Sequence, residues 1–351
     1  MPPRLTMPLT SYHLALAAVL VPLTAAPVGA TLAGGREPGP GAASPALAPA
    51  LPRTLAVPSA PPAASPHRLA LAHVLDRVDA VPVLPGGRLL LEPVAPPGVR
   101  TSVTWRASQG ELTYGTTTAA WTAPRAPGAY ALVGTGLVDG RPVSRRLTCL
   151  VTVPVSRVAG GRLNGYPIGT YPRGFGAAAL RTVSRGSRGD RYEVPGGFVE
   201  LDHTNLALPV SAHYQLGEFQ GKDAFVGGRK YMFFEPRLVE KLELLHEGLQ
   251  AAGYRCAKLR IMSGYRSPWL NRAIGNRTTL SRHTYGDAAD LIVQDHDGNG
   301  HVTRRDAEIL LAAASRLDRD TDLTGGGAIY PPTGSHGWFV HTDTRGQVVR
   351  W

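Results

Sequence analysis

The run Ser281-Arg282-His283-Thr284-Tyr285-Gly286-Asp287-Ala288-Ala289-Asp290-Leu291-Ile292-Val293 sets a histidine and an aspartate seven residues apart, on either side of a glycine. Residues 288–293 read as a strand, with Asp290 among small and aliphatic neighbours. A carboxylate in an apolar strand is costly unless it is paired or bound to a metal ion. Gly286 offers a turn that folds the chain back and carries the His283 imidazole toward that carboxylate. Near the C-terminus, Gly337-Trp338-Phe339-Val340-His341-Thr342-Asp343 places a second histidine in an aromatic, strand-like run. Two histidines and one aspartate are a usual ligand set for catalytic zinc, which keeps a fourth position open for water.

A second metal signal follows at once. Residues 295–306 fit the calcium-loop template: Asp295, Asp297 and Asn299 as oxygen ligands at positions one, three and five, and Gly300 at six. The His301 carbonyl and the Asp306 carboxylate at position twelve complete it. Position twelve is usually a bidentate Glu, so the shorter Asp306 implies weaker binding. The flank before the loop is a strand, which makes this an EF-hand-like loop and not a helix-loop-helix pair. Calcium there would brace the strand of Asp290; the other reading is a solvated Asp/Asn/Gly turn.

These residues resemble a known family, the zinc peptidases of bacterial cell walls that include D-Ala-D-Ala carboxypeptidases and dipeptidases and share a fold with hedgehog. Ser281 to Asp290 matches every specified position of that family's Ser-x-His-x-x-Gly-x-Ala-x-Asp signature. The resemblance implies zinc on His283, Asp290 and His341. It extends to Ser263-Gly264-Tyr265-Arg266-Ser267, where family members carry an arginine facing the substrate; Arg266 would hold a terminal carboxylate or the developing oxyanion. The nearest branch is the exported murein-peptidase group, on the tail His341-Thr342-Asp343-Thr344…Arg350-Trp351 and the opening segment Val210-Ser211-Ala212-His213-Tyr214…Gly217-Glu218-Phe219. Coverage is about residues 160–351. The implied activity is hydrolysis of peptidoglycan stem peptides or cross-links, as a D,D- or L,D-carboxypeptidase or endopeptidase.

One departure matters. Many relatives carry a Glu three residues before the last ligand as general base, and others a His two before it; here those positions are Trp338 and Phe339. In a strand, residues two apart share a face, so Asp343 projects with His341. Its carboxylate either takes a proton from the attacking water or orients the imidazole. His336, on a Gly-rich loop, is a further candidate for the base. The missing Glu also favours a competing reading, a non-catalytic wall-binding or structural protein that keeps the zinc fold.

The elements that must position these groups divide the chain into four. Residues 1–30 read as a secretory signal: Arg4, an apolar run from Leu14, and Val28-Gly29-Ala30 as a cleavage site. The 17 residues from 14 to 30 contain two prolines and fall short of the roughly 20 a membrane span needs. The mature chain is therefore expected to lack a transmembrane helix, and to act in the periplasm or at the cell surface. Of the 36 residues 31–66, 26 are Ala, Pro, Gly or Ser, so 31–68 reads as an extended disordered linker. Residues 69–155 read as a small all-β, immunoglobulin-like sandwich, with strands at 88–91, 102–105, 129–133 and 147–153 and Trp105 and Trp121 inside. In the last strand Leu147, Cys149, Val151 and Val153 share one face. Residues 156–351 read as an α+β zinc peptidase domain, with helices at 236–253 and from 306 to about 317 and a strand at 258–262. His246 beside the apolar face of the first helix reads as a surface or interface histidine.

Composition narrows the classes further. Gly 41 and Pro 31 in 351 residues argue against a helical bundle, and two cysteines cannot build a disulfide scaffold or a four-thiolate zinc site. Export permits a Cys149–Cys256 bridge without implying one. The net charge of +11 suits an anionic wall, while the absence of a basic run interleaved with aromatics argues against nucleic acid as a partner.

Overall fold

The computed structural model describes residues 67–172, 192–276, 278 and 280–351, which fall within one compact unit. The export signal and nearly all of the linker lie outside the described residues. Among those described, no helix is long and apolar enough to cross a membrane.

Residues 67–154 are all β. The strands Thr101–Ala107, Gly128–Val138 and Arg141–Val151 form antiparallel neighbours, and the last also pairs in parallel with His67–Arg68 and Ala80–Val83. A second sheet joins Arg88–Leu91, Ala119–Thr122 and Glu111–Tyr114. Trp105 and Trp121 are buried among Leu89, Leu91, Leu132 and Leu147, which makes them core aromatics. The inward alternation expected from Leu147 runs further back, through Arg145 to Val143, so one charged side chain occupies the core face.

Two expected boundaries shift. His67 and Arg68, placed in the linker, already pair with Val143 and Ser144. Val153–Pro154 pairs with Gly197–Leu201, so the division at 155/156 cuts through a sheet. The same junction is tied by Asp79 N–H donating to the Val210 carbonyl and by Arg77 reaching Glu240 and Glu247. Cys149 and Cys256 are both buried and free, and no bridge joins them. Cys256 lies 3.4 Å from Nδ1 of His246, which is buried against His213.

In the C-terminal part, helix α1 (Pro236–Ala251) starts on a proline and buries Leu238, Val239, Leu242, Leu245 and Leu249. Helix α2 (Pro268–Ala273) is short and capped by the Ser267 hydroxyl. Helix α3 (Arg304–Asp320) begins two residues before the expected 306, because Thr303 is its N-cap and closes a capping box with Asp306. The sheet beneath runs in the order Arg260–Ser263, Ala288–Ile292, Phe339–Asp343, Gly326–Tyr330, Val349–Arg350. Both of its central strands are apolar on the face opposite the site: Ala289 and Leu291 alternate with Asp290, and Val340 with His341.

Candidate metal centre

Register brings the first two groups together. Asp290 stands directly opposite His341 in the antiparallel pair, so the two side chains leave the sheet on one face. His283 arrives from a short 3-10 helix, Arg282–Tyr285, which ends at Gly286 in the left-handed region at φ 74. A Cβ at Gly286 would stand 2.6 Å from the Phe233 carbonyl oxygen, so glycine is required there twice over. One ligand atom from each of His283, Asp290 and His341 lies within 4.8 Å of the others, and all three residues are buried.

The donor set asks for a cation. His283 Nδ1 is 2.7 Å from the Gly264 carbonyl oxygen, which can only accept; Nδ1 therefore carries the proton and Nε2 presents a lone pair. That lone pair faces Asp290 Oδ1 at 3.2 Å, acceptor against acceptor. Burial pushes His283 below its ordinary value, so a proton is poorly suited to fill the space. The same Asp290 Oδ1 is 2.9 Å from His341 Nδ1. Burial alone would raise the Asp290 carboxyl, but the two imidazoles hold it well below the usual carboxylate range. Burial opposes charge on His341, yet Asp290 and Asp343 together raise it to about 9. These residues fit a divalent metal ion: two nitrogens and one ionised oxygen converge, and the distal nitrogen of each imidazole is held by a backbone or carboxylate oxygen.

Arg266, expected from sequence to hold a substrate carboxylate or oxyanion, is tied by part of its guanidinium to the site itself. Its Nη2 donates to the second oxygen of Asp290 at 2.5 Å and its Nε to the Ser263 hydroxyl, and the side chain is 14% exposed. A bulge between Ile261 and Ser263 makes this reach possible by turning Ser263 opposite Asp290. Asp343 lies 3.2 Å from His341 Nε2, on the side away from Asp290. Arg345 grips both Asp343 oxygens, and the Gly326 N–H donates to Oδ1 at 2.8 Å. Burial would raise this carboxyl, but His341 and Arg345 hold it well below the ordinary range.

The open side of the trio is aromatic. Trp351, 56% exposed, packs its ring 5.3 Å from that of His341 and donates its indole N–H to the Tyr330 hydroxyl. Tyr330 stacks on Phe339 with centroids 4.5 Å apart, and His336 meets Phe339 edge-on. His336 is partly exposed and its Nδ1 lies 2.9 Å from the Gly337 carbonyl. Trp338, on the other face of the strand, packs against the core.

Three supports went unseen in the sequence. They are the Gly264 carbonyl on His283, Arg345 on Asp343, and a buried network behind the sheet. In that network Lys241 Nζ donates to Asp318 and to the Asp343 carbonyl, both at 2.7 Å, while Arg350 also pairs with Asp318. Only Arg345, two residues from Asp343, carried a local signal; the others are contacts across long chain separations.

Glu235, just before α1, has an Oε1 shut off from solvent and without a partner. Burial first, and then the nearby Asp287, pushes its carboxyl up to about 8. The folded protein holds this proton more tightly than the unfolded chain does. Its stabilisation is therefore complete below the ordinary value of 4.5 and is lost as pH rises through about 8. Glu235→Gln should be the more stable protein in urea at pH 8.5, by a few kcal/mol at about 1.4 kcal/mol per pH unit, with the gap closing toward pH 4.5. A gap that does not change with pH would contradict this.

At the second loop, Asp295, Asp297 and Asp306 bring ligand oxygens within 4.8 Å of one another. Asp306 accepts from the N–H groups of His296, Asp297 and Thr303 and from the Thr303 hydroxyl. Asn299 Oδ1 accepts from the His301 N–H, its Nδ2 donates to Asp297, and the Gly300 N–H donates to Asp295 Oδ2. The five residues thus share one closed loop between the Asp290 strand and α3.

Residues 224–306 match the protein family described as Peptidase M15. The matched span carries Arg266, His283, Asp290 and the second loop, and ends before His341. The match supports a peptidase, and M15 peptidases are zinc-dependent. No curated protein matches the chain. One solved structure, a nucleoside hydrolase-related hypothetical protein from Saccharophagus degradans associated with carbohydrate metabolism, is 16% identical over 25% of this chain, with a TM-score of 0.19. The likeness spans 26% of that protein's length and carries no argument about fold or function.

Proposed function

We propose that the protein is an exported zinc peptidase of the murein-peptidase branch that hydrolyses peptidoglycan stem peptides or cross-links. The single observation that carries this reading is the buried contact of the His283 lone pair with Asp290 Oδ1 at 3.2 Å, completed by His341 Nδ1 on the same oxygen. His283, Asp290 and His341 would hold the ion. A zinc ion so held supplies Lewis acidity and an activated water at neutral pH.

The chain's own residues then divide the remaining work. Arg266 fixes Asp290 through Nη2, and its Nη1, which makes no bond among the described residues, is the group that would meet a substrate carboxylate or oxyanion. Asp343 is saturated by Arg345 and the Gly326 N–H, which suits orienting the His341 imidazole better than accepting a proton. The base is then His336, whose Nδ1 faces the Gly337 carbonyl and whose Nε2 is left for a proton at the rim. Tyr330, Phe339 and Trp351 exclude water from one side of the site. The all-β part serves as an immunoglobulin-like spacer ahead of this domain.

His336→Ala is expected to lower kcat by 10²-fold or more with metal content unchanged. Asp343→Asn should instead weaken metal affinity by about 10- to 100-fold. The reverse pattern in metal analysis and kinetics would exchange the two roles.

Purified sacculi digested with wild type and analysed by mass spectrometry should release peptides whose masses name the bond cut. A competing reading, a wall-binding protein without activity, is favoured by Trp338 in the place of the usual Glu. Muropeptide profiles unchanged by the zinc-loaded wild type would establish that reading and overturn ours.

Calcium is proposed for the second loop, with Asp295, Asp297, Asn299, the His301 carbonyl and Asp306 as ligands, on the convergence of its three carboxylates. Titration calorimetry should show one calcium ion bound by wild type and none by Asp297→Ala. Equal heats from both proteins would remove calcium from the account.

A further inference from the structure

In the all-β part, the outer face of the sheet formed by Thr101–Ala107, Gly128–Val138 and Arg141–Val151 lies open to solvent. Ser102, Thr104 and Arg106 are exposed along the first of these strands, Thr135 and Leu137 along the second, and Arg146 along the third. Register sets their side chains in rows that cross all three strands. Arg106 stands opposite Val133, and Val133 opposite Arg146. The next row is Thr104, Thr135 and Ser144. Arg106 and Arg146 therefore leave the sheet on the same side, with their Cα atoms two strand spacings, about 10 Å, apart. Arg145 points to the opposite side, is buried there, and takes no part.

The two arginines have no counter-charge on this face. Neither guanidinium makes a hydrogen bond or ion pair among the described residues, and the hydroxyls of Thr104, Thr135 and Ser144 are equally unbonded there. The three strands contain no Asp or Glu. Asp139, in the hairpin turn, is about 20 Å along the strand from Val133. Asp79, at the sheet edge, is paired with Arg68 at 2.7 Å, and Glu111 belongs to the other sheet. The face also lacks an exposed aromatic ring: Trp105 and Tyr130 are buried on its inner side. Among the described residues of this face, Leu137 is the only large apolar side chain that is exposed.

We infer that this face binds an acidic polysaccharide, with one carboxylate on Arg106, another on Arg146, and sugar hydroxyls on the row of Thr104, Thr135 and Ser144 beside them. A guanidinium fork takes one carboxylate by two parallel bonds, so two separated arginines suit a polymer with spaced carboxylates better than a single compact anion. Side-chain hydroxyls both donate and accept, which matches the hydroxyls of a sugar. A nucleic acid would want a ring on which its bases stack, and a lipid or apolar protein surface would want more than Leu137. The inference is independent of the metal-centre reading, since none of these residues belongs to that centre. It gives the all-β part a binding role beyond spacing.

The full chain should be titrated by calorimetry at low ionic strength with a hyaluronan oligosaccharide, which carries carboxylates on alternate sugars, and with an uncharged chitin oligosaccharide of the same length. Wild type should bind hyaluronan, with an affinity that falls as sodium chloride rises, and should bind the uncharged chain at least about tenfold more weakly. Arg106→Gln and Arg146→Gln should each bind hyaluronan about tenfold more weakly than wild type, and the double variant should show no binding. All three variants should melt with wild type, because both positions are exposed. No binding of hyaluronan at low salt, or equal binding by wild type and the double variant, would overturn the inference. So would tighter binding of polyphosphate or single-stranded DNA than of hyaluronan at the same salt, which would assign the face to a phosphate polymer.

Discussion

Asp290→Ala should lose metal binding by at least the roughly 100-fold that removal of an outer partner costs, and with it all peptide hydrolysis. Asp290 Oδ1 is the oxygen shared by His283 and His341, and Asp290 Oδ2 is the acceptor of Arg266. One substitution therefore removes a ligand, separates the two imidazoles electrostatically and releases the arginine. Metal bound to the native state alone stabilises it by mass action, by about 2.7 kcal/mol at a hundredfold excess over Kd. Zinc should accordingly raise the wild-type Tm by several degrees and leave that of Asp290→Ala unmoved. An equal zinc-dependent rise in both proteins would show that the metal is held elsewhere.

The second large effect is expected on stability. Lys241 is 0% exposed, and its ammonium bridges Asp318 on α3 and the carbonyl of Asp343 at the end of the site strand. Burial lowers its proton affinity while Asp318 restores part of it. Removing one partner of a buried pair costs about 3–5 kcal/mol, because the other charge is left behind. Here Arg350 still pairs with Asp318, which places Lys241→Met near the lower figure, about 3 kcal/mol. Chemical denaturation should show that loss with an unchanged slope. Because Lys241 also fixes the Asp343 backbone, zinc affinity should weaken in the same variant. A variant as stable as wild type would mean that the network contributes nothing.

How much of this was legible in the chain follows from distance along it. His283 and Asp290 lie within one ten-residue stretch whose turn and strand are local decisions, so a reader of the sequence meets both at once. His341 was found because an aromatic strand run is itself conspicuous, yet its register against Asp290 came only from the sheet. Arg266 stands out from its place after a strand, but its bond to Asp290 does not: the bulge at residues 261–263 sets Ser263 opposite Asp290, and no propensity marks a bulge there. The Gly264 carbonyl, Lys241 and Asp318 carried no signal, since a buried lysine and a surface lysine of a helix look alike until the neighbouring helix is placed. Helix ends erred by a residue or two where capping chemistry was read too narrowly, as at Thr303. Arg145 extends the inward alternation of Leu147, Cys149 and Val151 back toward Val143, and an apolar pattern does not mark a charged residue as part of a core face.

The most direct test is diffraction from crystals grown with zinc, recorded on both sides of the zinc absorption edge. The account predicts one strong anomalous peak per chain, bonded at about 2.0–2.2 Å to His283 Nε2, Asp290 and His341 Nδ1. Zinc found only at other residues, with His283 Nε2 still against the Asp290 carboxylate, would contradict it.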